Sequence, residues 1–148
     1  MTDSSQQDKR QKLIKTAVGL VVGIGVYFLV QQIFSPPTFD KAMMQAASEL
    51  NESCPIMVDR ETRLDNAVAM PGKVFQYHYT LVNMLLADID VATLTSNLTP
   101  QLINNVKTNP DLKAYRDNEV TMSYTYKDAN GEFVAKISVT PQDYEPKD

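Results

Sequence analysis

Cysteine, histidine and glycine are scarce in this 148-residue chain, and tryptophan is absent. The only cysteine, Cys54, cannot form a disulfide within the chain, so we expect its thiol to be buried or, alternatively, paired between chains. The only histidine, His78, lacks the further ligands of a zinc site and the partners of a catalytic triad. Beyond residue 25 the only glycines are Gly72 and Gly131, which excludes a glycine-rich phosphate loop. We therefore predict no metal site, no cofactor and no catalytic residue.

One long apolar run is present, Thr16–Phe34, and it carries no charge. As a helix it would rise about 28 Å, close to the thickness of a bilayer's hydrocarbon core. Four basic residues precede it: Lys9, Arg10, Lys12 and Lys15. Because positive charges near a span stay cytoplasmic, we predict a signal-anchored, single-pass protein of the inner membrane with its N-terminus inside. A cleaved signal peptide is the alternative, but no small-x-small cleavage site follows the run.

The predicted organisation follows from this span. It comprises a cytoplasmic tail (1–15), a transmembrane helix (16–34), a spacer (35–37), an extracytoplasmic domain in the periplasm or outside (38–142) and a frayed tail (143–148). Gly19 and Gly23 lie four residues apart in the run, so they could form the contact of a homodimer. Glycine is also common in membrane helices without such a role, and we favour that interpretation.

The charge of the domain limits its partners. Residues 36–148 hold ten Lys/Arg and sixteen Asp/Glu, a net charge of −6. A nucleic acid would be repelled by this surface. We therefore predict no nucleic-acid partner, contact with the membrane through residues 16–34, and another envelope protein as the partner of the domain.

Apolar spacing in the first half predicts a helix and a hairpin. Phe39–Asn51 has the spacing of an amphipathic helix. Two strands, 64–70 and 73–84, flank the turn signal Pro71-Gly72. In the second strand, aromatic residues alternate with polar ones, so the two sets are expected on opposite faces of a sheet.

The second half predicts helices followed by another hairpin. Thr99-Pro100 suits a helix start, with threonine as the N-cap and proline at the first helical position. A short helix is expected from Asn109-Pro110 to Tyr115. The turn Asn130-Gly131 then joins strands 120–126 and 133–139. The fold class is therefore α+β, with a four-stranded antiparallel sheet of two hairpins packed by helices, in the order α-β-β-α-α-β-β.

Two groups of residues are candidates for a functional site. Tyr77, Tyr79, Tyr124 and Tyr126 lie on the two best strands; core packing is the default, and an exposed strip for a partner protein is the alternative. The second group is a polar cluster formed by Asp59, Glu61, Arg63 and Asp65. Its carboxylates could serve acid–base chemistry, but an exposed charged segment with Asp59 or Thr62 capping a turn is favoured.

The segment from Leu50 to Leu81 carries a resemblance. Leu50-Asn51, Cys54-Pro55, Val58-Asp59 and Leu64-Asp65 are followed by Tyr77-His78-Tyr79-Thr80-Leu81. The pattern resembles a group of small uncharacterised bacterial membrane-anchored proteins with no known activity. The resemblance implies a bacterial envelope protein and assigns no functional residue.

Our leading hypothesis is an envelope protein whose outer domain binds or scaffolds other proteins, not an enzyme. One alternative is a subunit of a secretion or pilus assembly. Another is an envelope enzyme that uses Asp59, Glu61 and Asp65.

Overall fold

The computed structural model describes residues 39–145. Four helices and five strands form the domain, with 3-10 turns at Leu86–Asp88 and Pro110–Leu112. In chain order the elements are α1 (Phe39–Ser53), β1 (Ile56–Met57), β2 (Thr62–Met70), β3 (Val74–Leu81), α2 (Val91–Thr108), α3 (Lys113–Asp117), β4 (Thr121–Lys127), β5 (Phe133–Val139) and α4 (Pro141–Tyr144).

The strands form one mixed sheet in the order β1-β2-β3-β4-β5. Strand β3 runs parallel to β4, and the other neighbouring pairs are antiparallel. The predicted four-stranded antiparallel sheet is therefore wrong. Ile56–Met57 adds a fifth strand, and the helices between β3 and β4 form the crossover that a parallel neighbour requires.

The two faces of the sheet differ in chemistry. The aromatic face carries alternate residues of the central strands, namely Phe75, Tyr77, Tyr79, Met122, Tyr124 and Tyr126, and these pack with the apolar sides of the helices in one core. The polar face carries the residues between them, namely Gln76, His78, Thr80, Ser123, Thr125 and Lys127. Helix α1 packs against β2, and α2 packs against β5.

Helix α1 is held on β2 by apolar packing and by one amide. Met43 and Ala46 are almost fully buried, as the helical spacing of the sequence requires. Near the end of the helix, Asn51 Nδ2 donates to the Ala67 carbonyl at 2.8 Å, and the Ala67 N–H donates to Asn51 Oδ1 at 2.7 Å. The amide thus satisfies both backbone groups of a strand residue, close to the bulge in β2 between Leu64 and Asn66.

Helix α2 begins earlier than predicted. Asp90 is its N-cap and accepts a hydrogen bond from the Thr93 N–H, so Pro100 lies inside the helix. An internal proline costs about 3 kcal/mol. The apolar stripe runs across it, because Leu94, Leu98 and Leu102 all pack against the core. Partial burial of these three leucines opposes the cost of the proline, since each apolar side chain removed from water stabilises the folded state.

The tail predicted to fray from residue 143 is ordered as far as it is described. Thr140 and Asp143 form a capping box, with the Thr140 N–H donating to Asp143 Oδ2 at 2.8 Å. The hydroxyl of Tyr144 donates to the buried Val120 carbonyl at 2.9 Å. In the described part of this tail, the Tyr144 side chain therefore ties residues 143–145 to the core.

The predicted transmembrane helix, 16–34, lies outside the described residues, as does the pair Gly19 and Gly23. Between residues 39 and 145, no helix has both the length and the apolar character needed to cross a bilayer. The homodimer assigned to the glycine pair thus gains no support from the described domain.

Two buried tyrosines provide a matched test of this core. Tyr115 is 1% exposed and its hydroxyl has no hydrogen-bond partner among the described residues, whereas the Tyr144 hydroxyl has one. We expect Tyr115→Phe to leave the free energy of unfolding unchanged or raise it by about 1 kcal/mol, because an unsatisfied buried hydroxyl is removed. Tyr144→Phe should lower it by about 1 kcal/mol, because the Val120 carbonyl loses its donor. Urea unfolding of both variants measures the difference, and the reverse order would contradict this description of the core.

Candidate binding groove

An open groove lies where the two parallel strands end. Its volume is about 270 Å³. It is lined by residues from the ends of β3 and β4, the start of β2, the loop before it and the first half of α2: Val58, Asp59, Glu61, Thr62, Tyr79, Leu81, Met84, Leu94, Leu98 and Tyr126. Clefts at the carboxyl ends of parallel strands are common binding sites, because the connecting helices diverge there.

Stacked tyrosines form the floor of the groove. Tyr79 stacks on Tyr126 with ring centroids 5.3 Å apart and on Tyr124 at 6.5 Å, and Tyr77 stacks on Tyr124 at 5.5 Å. The in-register parallel pairing Tyr77 with Tyr124 and Tyr79 with Tyr126 places the rings side by side. Each such contact adds roughly 0.5–1.5 kcal/mol beyond area burial, so stacking stabilises the floor.

The tyrosine hydroxyls in this floor stay protonated at neutral pH. Burial raises the pKa of Tyr126 to about 12, with a further contribution from the Asp59 carboxylate. The pKa of Tyr79 is raised further, chiefly by burial and then by Tyr126. A ligand in the groove therefore meets neutral aromatic rings.

An acidic turn forms one rim. Asp59 Oδ1 accepts hydrogen bonds from the backbone N–H of Glu61 at 2.8 Å and of Thr62 at 2.7 Å. These bonds favour the charged form, so the pKa of Asp59 lies below its ordinary value. The Glu61 carbonyl accepts from the Val82 N–H at 2.8 Å, which fixes the turn against the end of β3.

A buried carboxylate positions the opposite wall. Asp128 is 1% exposed; its Oδ2 accepts from the Leu86 N–H at 2.9 Å, and its Oδ1 accepts from the N–H groups of Asn130 and Glu132, both at 2.8 Å. The Ala129 N–H also donates to the Met84 carbonyl. The segment leading into α2 is thus tied to the β4–β5 turn, and the bonds lower the pKa of Asp128, first through Leu86.

An apolar side chain of the groove lining is exposed to solvent. Val58 lines the groove and is 52% exposed. Exposed apolar surface beside a concave site is typical of a protein-interaction site.

The predicted polar cluster is divided between the two faces of the sheet. Asp59 and Glu61 lie on the groove. Arg63 Nε lies 2.6 Å from Asp65 Oδ1, and Asp65 Oδ2 accepts from the Thr80 hydroxyl, which belongs to the polar face. The structure thus separates Asp65 from Asp59 and Glu61. Residues 39–145 contain no group of three or more histidine, cysteine or acidic side chains able to hold a metal ion.

The four predicted tyrosines are brought together, but not as an exposed strip. Tyr124 and Tyr126 are 5% exposed, and Tyr77 and Tyr79 are half-buried. Tyr79 and Tyr126 nevertheless line the groove. Their role in an interaction stays a prediction.

Sequence reasoning missed Met84, Leu94 and Leu98 as site residues. The helix was predicted to start at Thr99, so Leu94 was assigned to neither a helix nor a strand. The spacing of Leu94, Leu98 and Leu102 by four residues was the available signal, and it indicates one continuous helical face.

Cys54 lies partly buried beside the sheet. Burial raises the pKa of its thiol, and the Asp65 carboxylate adds to the shift. The raised pKa favours the protonated thiol, which is the less nucleophilic form.

Residues 38–135 match the family described as a domain of unknown function (DUF8479), and the chain belongs to that family. The match covers well over half of the sequence. No functionally curated protein matches the chain at the level of sequence.

Solved structures share the fold at low sequence identity. A protein from Pseudomonas aeruginosa classed provisionally as secreted superposes with a TM-score of 0.61 at 12% identity, covering 72% of this chain and 92% of that one. The type II secretion pilotin EpsS from Vibrio vulnificus has a TM-score of 0.56 at 10% identity, covering 73% and 93%. The type II secretion pilotin AspS from Vibrio cholerae has 0.54 at 16%, covering 70% and 90%. At these identities the likeness shows a shared fold.

The predicted localisation requires correction. The described helices include none able to span a bilayer, and the proteins that share the fold are named as secreted or as secretion pilotins, not as signal-anchored membrane proteins. The assignment as a single-pass, signal-anchored protein of the inner membrane is therefore wrong on these findings. The stretch on which it was based lies outside the described residues.

The buried tyrosines predict a dependence of stability on alkaline pH. Burial raises the pKa of Tyr126 to about 12, above the value of about 10 in an unfolded chain. A raised pKa in the folded state contributes stability fully below pH 10, and that contribution is lost as the pH rises through the folded value. We expect the Tm to fall between pH 10 and 12, and less steeply in Tyr126→Phe. Phenolate absorbance that appears near pH 10 in the folded protein and is lost in Tyr126→Phe would contradict this.

Proposed function

We propose that the domain is a protein-binding subunit of a secretion-type assembly in the bacterial envelope, and that the groove is its contact surface. The observation that carries the proposal is the apolar, acidic-rimmed groove on a fold shared with two type II secretion pilotins. The resemblance of the Leu50–Leu81 segment to small bacterial envelope proteins supports the same compartment.

The lining specifies the chemistry of the partner segment. The floor and the α2 wall offer aromatic and aliphatic surface, so the partner should insert apolar side chains, each worth roughly 1.5–3 kcal/mol when fully buried. Asp59 and Glu61 stand on the rim, so a lysine or arginine next to those apolar residues would pair with them. Rim charges of this kind set orientation and association rate more than affinity.

The geometry favours binding over the enzyme alternative. That alternative needed Asp59, Glu61 and Asp65 to act on one substrate. Asp65 instead lies with Thr80 on the polar face, and the Asp59 carboxylate caps its own turn. The two carboxylates at the groove are thus suited to attract a basic residue at a rim.

A pair of valines tests the groove with a matched control. Val58 lines the groove and is 52% exposed, whereas Val68 is 43% exposed on the other side of the sheet. We expect Val58→Asp to weaken capture of the partner at least tenfold, because it places a charge among apolar contacts. Val68→Asp should leave capture unchanged. Site-specific photocrosslinking from both positions in native envelopes, followed by identification of the crosslinked protein, measures the difference.

The outcome is decisive in either direction. A crosslink from position 58, and not from 68, to a component of a secretion assembly supports the proposal. Equal crosslinking of the same protein from both positions, or a position-58 product that belongs to no such assembly, would contradict it. Thermal melting of both variants confirms that each remains folded.

A further inference from the structure

The polar face of the sheet forms a second surface, on the side opposite the groove. Its strands align side chains in rows, because neighbouring strands pair residue by residue. One row runs across four strands as Asn66, His78, Thr125 and Lys136. Lys127 lies two residues beyond Thr125 on β4, on the same face.

This face is basic in an otherwise acidic domain. Residues 36–148 have a net charge of −6, yet Lys127 and Lys136 are both exposed and form no ion pair among the described residues. The only acidic side chain in the adjoining rows, Asp65, is already paired with Arg63 at 2.6 Å. The two lysines therefore leave uncompensated positive charge on this face.

The hydrogen bonds of the central row are incomplete. The Thr125 hydroxyl lies between His78 and Lys136, is buried, and has no partner among the described residues. Gln76 Nε2 lies 2.9 Å from His78 Nε2, while the Gln76 side-chain oxygen is unpaired. Both unpaired atoms are buried, so a partner on this face would contact the exposed Lys127 and Lys136 rather than these atoms.

The lowered pKa of His78 is consistent with this excess of positive charge. Burial is the largest cause of the lowered pKa of His78, and Lys127 is the second largest. Asp65 raises the pKa, and Lys136 makes a smaller contribution that lowers it. With Arg63 held by Asp65, these are the charged groups that face the ring from the neighbouring strands. A negative group placed here would be favoured, and it would raise the pKa of His78.

We propose that the polar face binds an acidic, extended segment of a partner protein, with Lys127 and Lys136 each pairing with a carboxylate. Lysines at diagonal positions on neighbouring antiparallel strands are about 7–8 Å apart. Alternate side chains of an extended peptide are about 6.6 Å apart, so two acidic residues separated by one other match the lysine pair. This site is separate from the groove, whose proposed partner is an apolar segment with an adjacent lysine or arginine.

The single histidine makes the test direct. The full-length, tag-free chain is titrated at low salt with a peptide of alternating glutamate and serine, and the pKa of His78 is followed by NMR. We expect the peptide to raise the pKa of His78 by about 0.5 or more, and salt above about 0.3 M to abolish the effect. Lys127→Gln and Lys136→Gln should each weaken binding about three- to tenfold. A peptide with glutamine in place of glutamate should not bind.

Controls separate this site from general attraction and from the groove. Lys107→Gln, an exposed lysine on α2, makes the same change in charge and should bind the peptide normally. Val58→Asp should also bind normally, which keeps a failure of the groove distinct from a failure of this site. Equal losses in Lys107→Gln and Lys136→Gln, no change in the pKa of His78, or a response to inorganic phosphate or phosphatidylglycerol vesicles but not to the peptide would each overturn the proposal.

Discussion

The parallel pairing of β3 with β4 is the constraint on which the rest of the domain depends. It places Tyr77 beside Tyr124 and Tyr79 beside Tyr126, which produces the stacked rings under the groove. Because both strands end at the same edge, their last residues and the returning helix α2 enclose one concave surface. An antiparallel pair would have placed the end of one strand beside the start of the other, and no such common edge would exist.

The alternation along the same two strands separates two surfaces of different chemistry. Aromatic residues face the helices and the groove, whose rim carries Asp59 and Glu61. The intervening residues face the other side, where Lys127 and Lys136 remain unpaired among the described residues. A shift of one residue in either strand would turn that strand's side chains to the opposite face, so register is as important here as composition.

Local patterns in the sequence were sufficient for most elements and insufficient for their arrangement. The helix from Phe39, the hairpin around Pro71-Gly72 and the hairpin around Asn130-Gly131 follow from spacing and turn residues. The parallel pairing could not be predicted, because alternation identifies a strand without naming its neighbour. The start of α2 was predicted at Thr99-Pro100, where the residues suit a helix start. The helix instead begins at Val91, because leucines before and after Pro100 pack against the same core. The groove is formed by the parallel strand pair and by the first half of α2, neither of which was predicted. Only its tyrosines and acidic residues were therefore identified from the sequence.

The bonds of Asp128 have a consequence for the order in which the domain matures. The Leu86 N–H is held by a carboxylate 42 residues further along the chain. During synthesis, the segment that leads into α2 leaves the ribosome well before the residue that anchors it. A nascent chain that ends before the β4–β5 turn therefore has leucines on α2 but no fixed wall for them to form. The wall of the groove is therefore completed only when Asp128 and the β4–β5 turn are present.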